Sequence, residues 1–223
     1  MEKLITIPEI ILLNTIKTAL TYIRTDYNNN LADETKSILY RLLNTQEIQR
    51  YKLYDQSKAV FITDVDEPRF LDVNLFFNST RAHIPTIHIT LPSETTVNNT
   101  LGIGEGYRDD IFDSTLGTYR NVYNRRFRAS YNLVITSDNT NEVVLIYNTM
   151  RSILISLINH LNLSGLEKID LGGRDIQINT TLVPTNIFMR SISLDFEYNV
   201  GAVDLFDHKI FNSILFNGTA KLE

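Results

Sequence analysis

The chain has 223 residues, of which 43% are hydrophobic and 21% charged, and its formal net charge is -5 at pH 7. These values are typical of one globular domain with a real core, and the mild acidity disfavours bulk binding of nucleic acid. Cysteine is absent, which excludes disulfides, thiolate metal ligands and cysteine nucleophiles. The longest apolar run is far shorter than the roughly 20 residues that span a bilayer, so we expect no membrane partner.

The first 55 residues predict an N-terminal helical layer. Pro8 stands where proline opens a helix, and apolar residues at helical spacing follow it, which predicts a helix over about residues 8 to 25. Asp33 is a candidate N-cap for a second helical stretch. A shorter helical piece is predicted around Gln46 to Leu53.

Three apolar patterns then predict strands. The first is the short run from Val60 to Ile62, and an acidic link separates it from the second. Pro85 indicates the start or an edge position of the third. The apolar residues of the second and third patterns are Phe70, Val73, Leu75 and Phe77, then Ile84, Ile87, Ile89 and Leu91.

Residues 92–125 show no lasting period, and we interpret them as a long loop or a protruding hairpin arm. A compact domain rarely keeps more than about 15 residues structureless without a use for them. Aromatic residues are enriched at interfaces and depleted in disordered chains, so they favour docking on a neighbour over disorder. We therefore predict an interface formed by Tyr107, Phe112, Tyr119 and Tyr123.

A basic cluster at Arg120, Arg125, Arg126 and Arg128 ends this segment. Arginine forks match phosphates and carboxylates, so the cluster is suited to a phosphate backbone or to an acidic protein partner. Alternatively, Arg126 and Arg128 lie on the solvent face of the next strand, where basic residues keep a sheet edge from pairing. Both interpretations stay open, and Arg125, Arg126 and Arg128 join the predicted interface.

The pattern of residues 126–199 predicts a core that consists of a strand, a helix and two further strands. The first strand alternates, with one face buried and the other exposed. The apolar face consists of Phe127, Ala129, Tyr131, Leu133 and Ile135. A long amphipathic helix follows, with Asn139 as its N-cap, Glu142 at the capping-box position and its end near residues 162–165.

The rest of the core is predicted to be two strands. The pair Gly172 and Gly173 is interpreted as a turn into a strand that contains Ile176 and Ile178. Residues 188–198 alternate cleanly and predict the last strand. Residues 200–223 form a C-terminal tail, whose apolar residues Ile210 to Phe216 suit one more strand or a partner-binding segment.

Four groups of residues suggest chemistry, but none completes a motif. Gly102, Gly104 and Gly106 lack the flanking strand, helix and Lys-Ser/Thr pair of a phosphate loop. Asp64, Asp66 and Glu67 lack the further oxygen ligands of a calcium loop. His83 and His88 lack metal-ligand spacing, and His160 and His208 lack a nucleophile motif. We predict no catalytic residue, no metal and no cofactor.

Together these elements predict an α+β fold, a mixed or antiparallel sheet packed by a long amphipathic helix, with N-terminal helices and a long protruding loop or hairpin arm. The order of helix, strands, long loop, Tyr131 to Ile135, helix from Asn139, Gly172-Gly173 and Phe188 to Leu194 resembles tail-terminator and tail-completion proteins of tailed bacteriophages. The resemblance is strongest over residues 126–199. The Asn-, Ile- and Tyr-rich, cysteine-free composition is similar to neck and tail ring proteins of crAss-like phages.

This resemblance implies a structural virion protein without enzymatic activity, located in the virion. It implies a homo-oligomeric ring in the head-tail connector, neck or tail that contacts portal, connector or tail proteins, while DNA passes through without specific binding. Two alternatives belong to other classes. One is a metal-dependent phage or bacterial enzyme with a site at Asp64, Asp66, His83 and His88, and the other is a tail-tip or baseplate adaptor.

Overall fold

The computed structural model shows an α+β protein with helices packed on a mixed sheet, which confirms the predicted fold class. Its residues divide into two compact units. We call residues 7–95 and 128–197 the core unit, and residues 1–6, 96–127 and 198–223 the hairpin unit. The single domain expected from the sequence stays a prediction. The structure describes residues 6–44, 52–63, 67, 69–76, 84–97, 107–113, 118–176 and 187–203.

The helices of the described residues all belong to the core unit. Helix α1 begins at Pro8 as predicted and continues beyond the predicted end, to Asn29. No described helix combines the length and the apolarity needed to cross a bilayer. The helices are α1 (Pro8–Asn29), a 3-10 turn (Glu34–Lys36), α2 (Ile38–Leu43), α3 (Leu53–Phe61) and α4 (Thr140–Leu163).

Two predictions for residues 33–62 are wrong. Asp33 precedes only the 3-10 turn, and Ser37 caps α2, because its hydroxyl accepts from the Tyr40 N–H at 3.2 Å. The run Val60 to Ile62 is not a strand, since Val60 and Phe61 are the buried last residues of α3. Three consecutive apolar residues do not distinguish a strand from the end of a buried helix. Of the piece predicted at Gln46 to Leu53, residues 45–51 lie outside the described residues.

The strands run in the order β1-β2-β4-β6-β5, and β3 pairs with β4. The pair β1/β2 is parallel, whereas β3/β4 and β5/β6 are antiparallel, so the sheet is mixed. Pro85 directly precedes β2, as predicted from its lack of a donor. The strands are β1 (Asp72–Leu75), β2 (Thr86–Thr96), β3 (Tyr107–Asp113), β4 (Thr118–Ser137), β5 (Glu167–Asp175) and β6 (Phe188–Val203).

Much of the segment predicted as a loop or arm is strand. Strand β2 continues through Thr96, and β3 forms an antiparallel hairpin with the first part of β4, from the pair Tyr107 and Asn124 to the pair Asp113 and Thr118. Backbone hydrogen bonds hold such a hairpin without an apolar period, so the sequence leaves a loop and a hairpin arm as alternatives. Whether this hairpin docks on a neighbour stays a prediction.

β4 is a strand as predicted, but the predicted alternation of a buried and an exposed face is wrong, since residues 131–137 are all buried. Ala129 and Ile135 are buried on the predicted face. Asn132, Val134 and Thr136 on the opposite face are buried as well, each less than a tenth exposed. β4 is an inner strand between β2 and β6, so side chains of both neighbours adjoin its own on each face. Its position in the sheet therefore outweighs the polarity of its second face.

Gly172 and Gly173 lie inside β5 and not in a turn, so that prediction is wrong. They are in register with Ser193 and Ile192 of β6. A Cβ at Gly173 would overlap the side chain of Tyr147 on α4, so the glycine lets the helix approach the strand closely. Ile176 follows the strand, and Ile178 lies outside the described residues.

Helices α1 and α4 lie on the same face of the sheet. The hydroxyl of Tyr131 on β4 donates to Glu9 of α1 at 2.6 Å, and its ring stacks on Phe196 of β6 at 5.3 Å. Every second residue of a strand points to the same face of the sheet. Phe196 and Ile192 are four residues apart on β6, so they lie on the same face. Ile192 is in register with Gly173, which α4 covers.

The start of α4 is held by an arrangement that differs from the predicted capping box. Asn139 is the N-cap, as predicted, and its side chain accepts from the Asn141 N–H at 3.0 Å. Glu142 does not complete the box, because the Asn139 N–H donates to the Ser137 hydroxyl at 3.1 Å. The buried Glu142 carboxylate instead accepts from Ser137 and, at 3.1 Å, from Arg69.

Candidate functional site

The aromatic residues of the predicted interface lie on the β3/β4 hairpin. Tyr107 and Phe112 belong to β3, and Tyr119 and Tyr123 belong to β4. The backbone register places Phe112 opposite Tyr119 and Arg108 opposite Tyr123. Their side chains lie outside the described part of the structure, so their role at an interface stays a prediction.

The three arginines of the predicted interface follow along β4. Arg125 and Arg128 are exposed and Arg126 is partly buried. The suggestion that they protect a sheet edge is wrong, because β4 lies between β2 and β6. The carbonyl of Arg126 accepts from the Val97 N–H at 3.0 Å, so the backbone is paired there. The exposed Arg125 and Arg128 suit a partner that carries carboxylates or phosphates.

The histidine that the structure describes among the suggested metal ligands has a structural contact. His88 lies on β2 with its Nδ1 3.1 Å from the carbonyl oxygen of Phe76. Burial lowers the pKa of His88 below its ordinary value, and this hydrogen bond opposes the shift. Asp64, Asp66 and His83 lie outside the described residues. Within the described residues, no three His, Asp or Glu side chains are placed to share a metal.

The core unit contains an apolar groove that the sequence did not predict. It lies between α1, α2 and α4, and its volume is about 640 Å³. Tyr22 at its margin is 63% exposed, although most large apolar side chains of α1 are buried. We call this cavity the three-helix groove. The residues that define it are Thr18, Ala19, Tyr22, Leu42, Ser156 and Leu157.

Small side chains open the three-helix groove. Thr18 and Ala19 on α1 and Ser152 and Ser156 on α4 are too short to fill the space between the helices. The hydroxyl of Ser152 donates to the Asn148 carbonyl, and the hydroxyl of Ser156 donates to the Ser152 carbonyl, both at 3.1 Å. These protons are directed at the helix backbone, so the groove has a largely apolar surface.

The charges on the groove walls all have one sign. Lys17 on α1, Arg41 on α2 and Arg151 on α4 are exposed and adjoin lining residues. The wall segments 14–23, 38–43 and 151–160 contain no Asp or Glu. Among the described residues, none of these three cations forms an ion pair. His160 also lines the groove, a position that its sequence context did not predict.

A polar cluster around Glu34 joins α1, the 3-10 turn and α3. The Glu34 carboxylate accepts from Tyr27 at 2.9 Å, from Tyr54 at 3.0 Å and from Lys58 at 2.5 Å. Burial and the Glu34 hydrogen bond raise the pKa of Tyr54 to about 12. The Lys58 and Tyr27 hydrogen bonds lower the pKa of Glu34. Because the carboxylate already accepts from three donors, we interpret the cluster as structural.

Two features of the described residues are therefore candidates for binding, the three-helix groove and the β3/β4 hairpin. The groove suits apolar side chains accompanied by acidic ones, and the hairpin carries the residues predicted to form an interface. Searches against protein-family models and curated proteins found no match for this chain.

Proposed function

We propose that this protein is a structural virion subunit that forms a ring in the head-tail connector, neck or tail of a tailed phage. The ring would join adjacent rings around the DNA channel. The proposal starts from the resemblance in element order across residues 126–199. The observation that carries it is the β3/β4 hairpin, which occupies the segment expected to reach a neighbour.

The hairpin has a backbone edge suited to assembly. Among the described strands, β3 pairs with β4 alone. An unpaired strand edge presents N–H and C=O groups in a row, which is a template for a strand of another chain. In the proposed ring, this edge and the residues predicted on the hairpin meet the adjacent subunit. The helix-backed sheet serves as the body that carries the hairpin.

The other proposed properties follow from the same assembly. A subunit that contacts identical neighbours through two different surfaces forms a closed ring when the rotation closes. The net charge of -5 lets DNA pass without tight or specific binding. The proposed partners are further copies of the chain and the portal, connector or tail proteins next to the ring. The proposed location is the virion, and no cofactor is required.

The test is the assembly state of the purified full chain. Native mass spectrometry and negative-stain images at rising concentration should show one closed ring with a fixed copy number. Charge reversal Arg125→Glu should shift assembly to at least tenfold higher concentration, because it places an acid in the predicted interface. The control Arg174→Glu changes an exposed arginine on β5 and should leave assembly unchanged.

A chain that stays monomeric at high concentration, alone and with virion extract, would argue against the ring. A ring that tolerates Arg125→Glu as well as Arg174→Glu would remove this arginine from the interface. Labelling of intact virions with an antibody against the chain then separates a neck position from the distal tail tip. Label confined to the tip would support an adaptor instead.

A further inference from the structure

We infer that the three-helix groove binds the C-terminal segment of a second copy of this chain. The inference rests on the proposed homo-oligomer and names one contact within it. Three observations support it, namely the apolar surface of the groove, the sign of the charges beside it, and the composition of residues 204–223.

The groove is suited to bind a few apolar side chains of another segment. Its volume of about 640 Å³ is enough for several large apolar groups. The hydroxyl protons of Ser152 and Ser156 are directed at their own helix carbonyls. An extended peptide backbone would find few donors there, so the groove favours a segment that contacts it through side chains. Tyr22, which is 63% exposed, can pack on such a segment.

The flanking charges specify an acidic occupant. Lys17, Arg41 and Arg151 adjoin the groove on its three helices, and the wall segments contain no acid. A cluster of one sign favours a partner of the opposite sign and disfavours a basic one. In a chain of net charge -5, this cationic margin is a local departure from the overall charge.

The chain itself contains a segment with the required composition. Residues 204–223 follow β6, and their apolar residues Phe206, Ile210 and Ile214 recur every four positions. The segment contains three acids and two lysines, Lys209 and Lys221, so it is net acidic by one charge. Asp204 and Asp207 flank Phe206 at its start. A stripe of apolar residues at intervals of four is the pattern of a segment that docks through side chains into a helical groove.

We assign the C-terminal segment in the groove to a second copy, because the groove and this segment are two different surfaces of the chain. When one surface of each copy binds the other surface of the next, the contact is heterologous, and heterologous contacts generate rings. A symmetric dimer would instead use one surface twice. The contact therefore supplies the kind of link that the proposed ring needs.

The first test measures peptide binding. A fluorescent peptide of residues 203–217 should bind the purified chain saturably, and a peptide with Asp204→Lys and Asp207→Lys should bind at least tenfold more weakly. Thr18→Glu places an acid in the groove and should weaken binding of the native peptide at least tenfold. Asn28→Glu adds the same residue to an exposed position of α1 outside the groove and should not. Absence of saturable binding would overturn the inference.

The second test uses the absence of cysteine from the full chain. One population carries Thr18→Cys and the other Ser213→Cys, and both are mixed and oxidised. A disulfide-linked pair of the two variants is expected. The control mixture of Arg174→Cys with Ser213→Cys should give little disulfide-linked pair. If a chain with both Thr18→Cys and Ser213→Cys cross-links only within itself, the second-copy contact is wrong.

The results separate this contact from the ring. Rings that assemble normally with Thr18→Glu, without a cross-link, would preserve the proposed function and overturn the groove contact. Peptide binding with the expected cross-link, but without a closed ring, would preserve the contact and overturn the ring.

Discussion

The ring of Tyr147 on α4 covers Gly173 on β5 so closely that a Cβ at residue 173 would overlap the phenol. The guanidinium of Arg190, on the neighbouring strand β6, lies 5.0 Å from the centre of the same ring. The tyrosine is therefore held between a glycine and an arginine. This contact explains why β5 contains a glycine where helix α4 approaches it.

We expect Gly173→Ala to lower the free energy of unfolding by about 1–3 kcal/mol, because the added methyl group displaces a packed ring. Urea denaturation measures this change. Gly172→Ala is the matched control, since its Cβ would meet only the hydroxyl of Ser193, which can rotate away. It should cost clearly less. Combining Gly173→Ala with Tyr147→Leu should recover part of the loss, and equal losses with and without Tyr147 would contradict the packing argument.

The Glu34 cluster should stabilise the helical layer. Glu34→Gln removes the charge that attracts Lys58 and weakens the hydrogen bonds from Tyr27 and Tyr54. We expect a loss of about 1–2 kcal/mol in the free energy of unfolding, the size of a charged hydrogen bond at a partly exposed site. Thermal and urea unfolding measure it. Asp55→Asn changes an exposed acid on α3 outside the cluster and should cost clearly less. Equal stability of both variants would refute a structural role for the cluster.

The hydrogen bond from Tyr131 to Glu9 joins β4 to the first turn of α1. Tyr131→Phe removes only this donor and keeps the stack on Phe196. We expect a loss of about 1–2 kcal/mol in the free energy of unfolding, because the acceptor is a carboxylate. Tyr22→Phe is the control, since Tyr22 is 63% exposed. A loss as large in Tyr22→Phe would show that the Glu9 contact is not the cause.

His88 should make stability depend on pH below neutrality. Burial lowers its pKa in the folded protein, so the unfolded chain binds more protons between the lowered pKa and about 6.5. Stability contributed by neutral His88 is complete above the unfolded pKa and is lost as pH falls through the folded pKa. Urea unfolding between pH 7.5 and 5 should show this loss, and His88→Gln should reduce the slope. Identical slopes in both proteins would be the contrary result.

The sequence by itself determined the elements whose pattern is local. Proline at residue 8 and the apolar stripe behind it placed the start of α1 correctly, and Asn139 placed the start of α4. The alternation in residues 188–198 predicted β6, and the order of these elements predicted the α+β class. Periods of two and of about 3.6 residues are properties of the single segment, so one sequence is enough to show them.

Only the tertiary structure decided the features that depend on a neighbouring element. Gly173 is a strand residue because it pairs with Ile192 of β6, and residues 118–124 are strand because β3 pairs with them. The second face of β4 is buried although it carries polar residues, and β4 is an inner strand whose neighbours β2 and β6 place side chains beside its own. The three-helix groove exists because small residues of α1 and α4 come to face each other. The sequence of each helix shows these small residues, but it does not show which face of which other helix will pack against them.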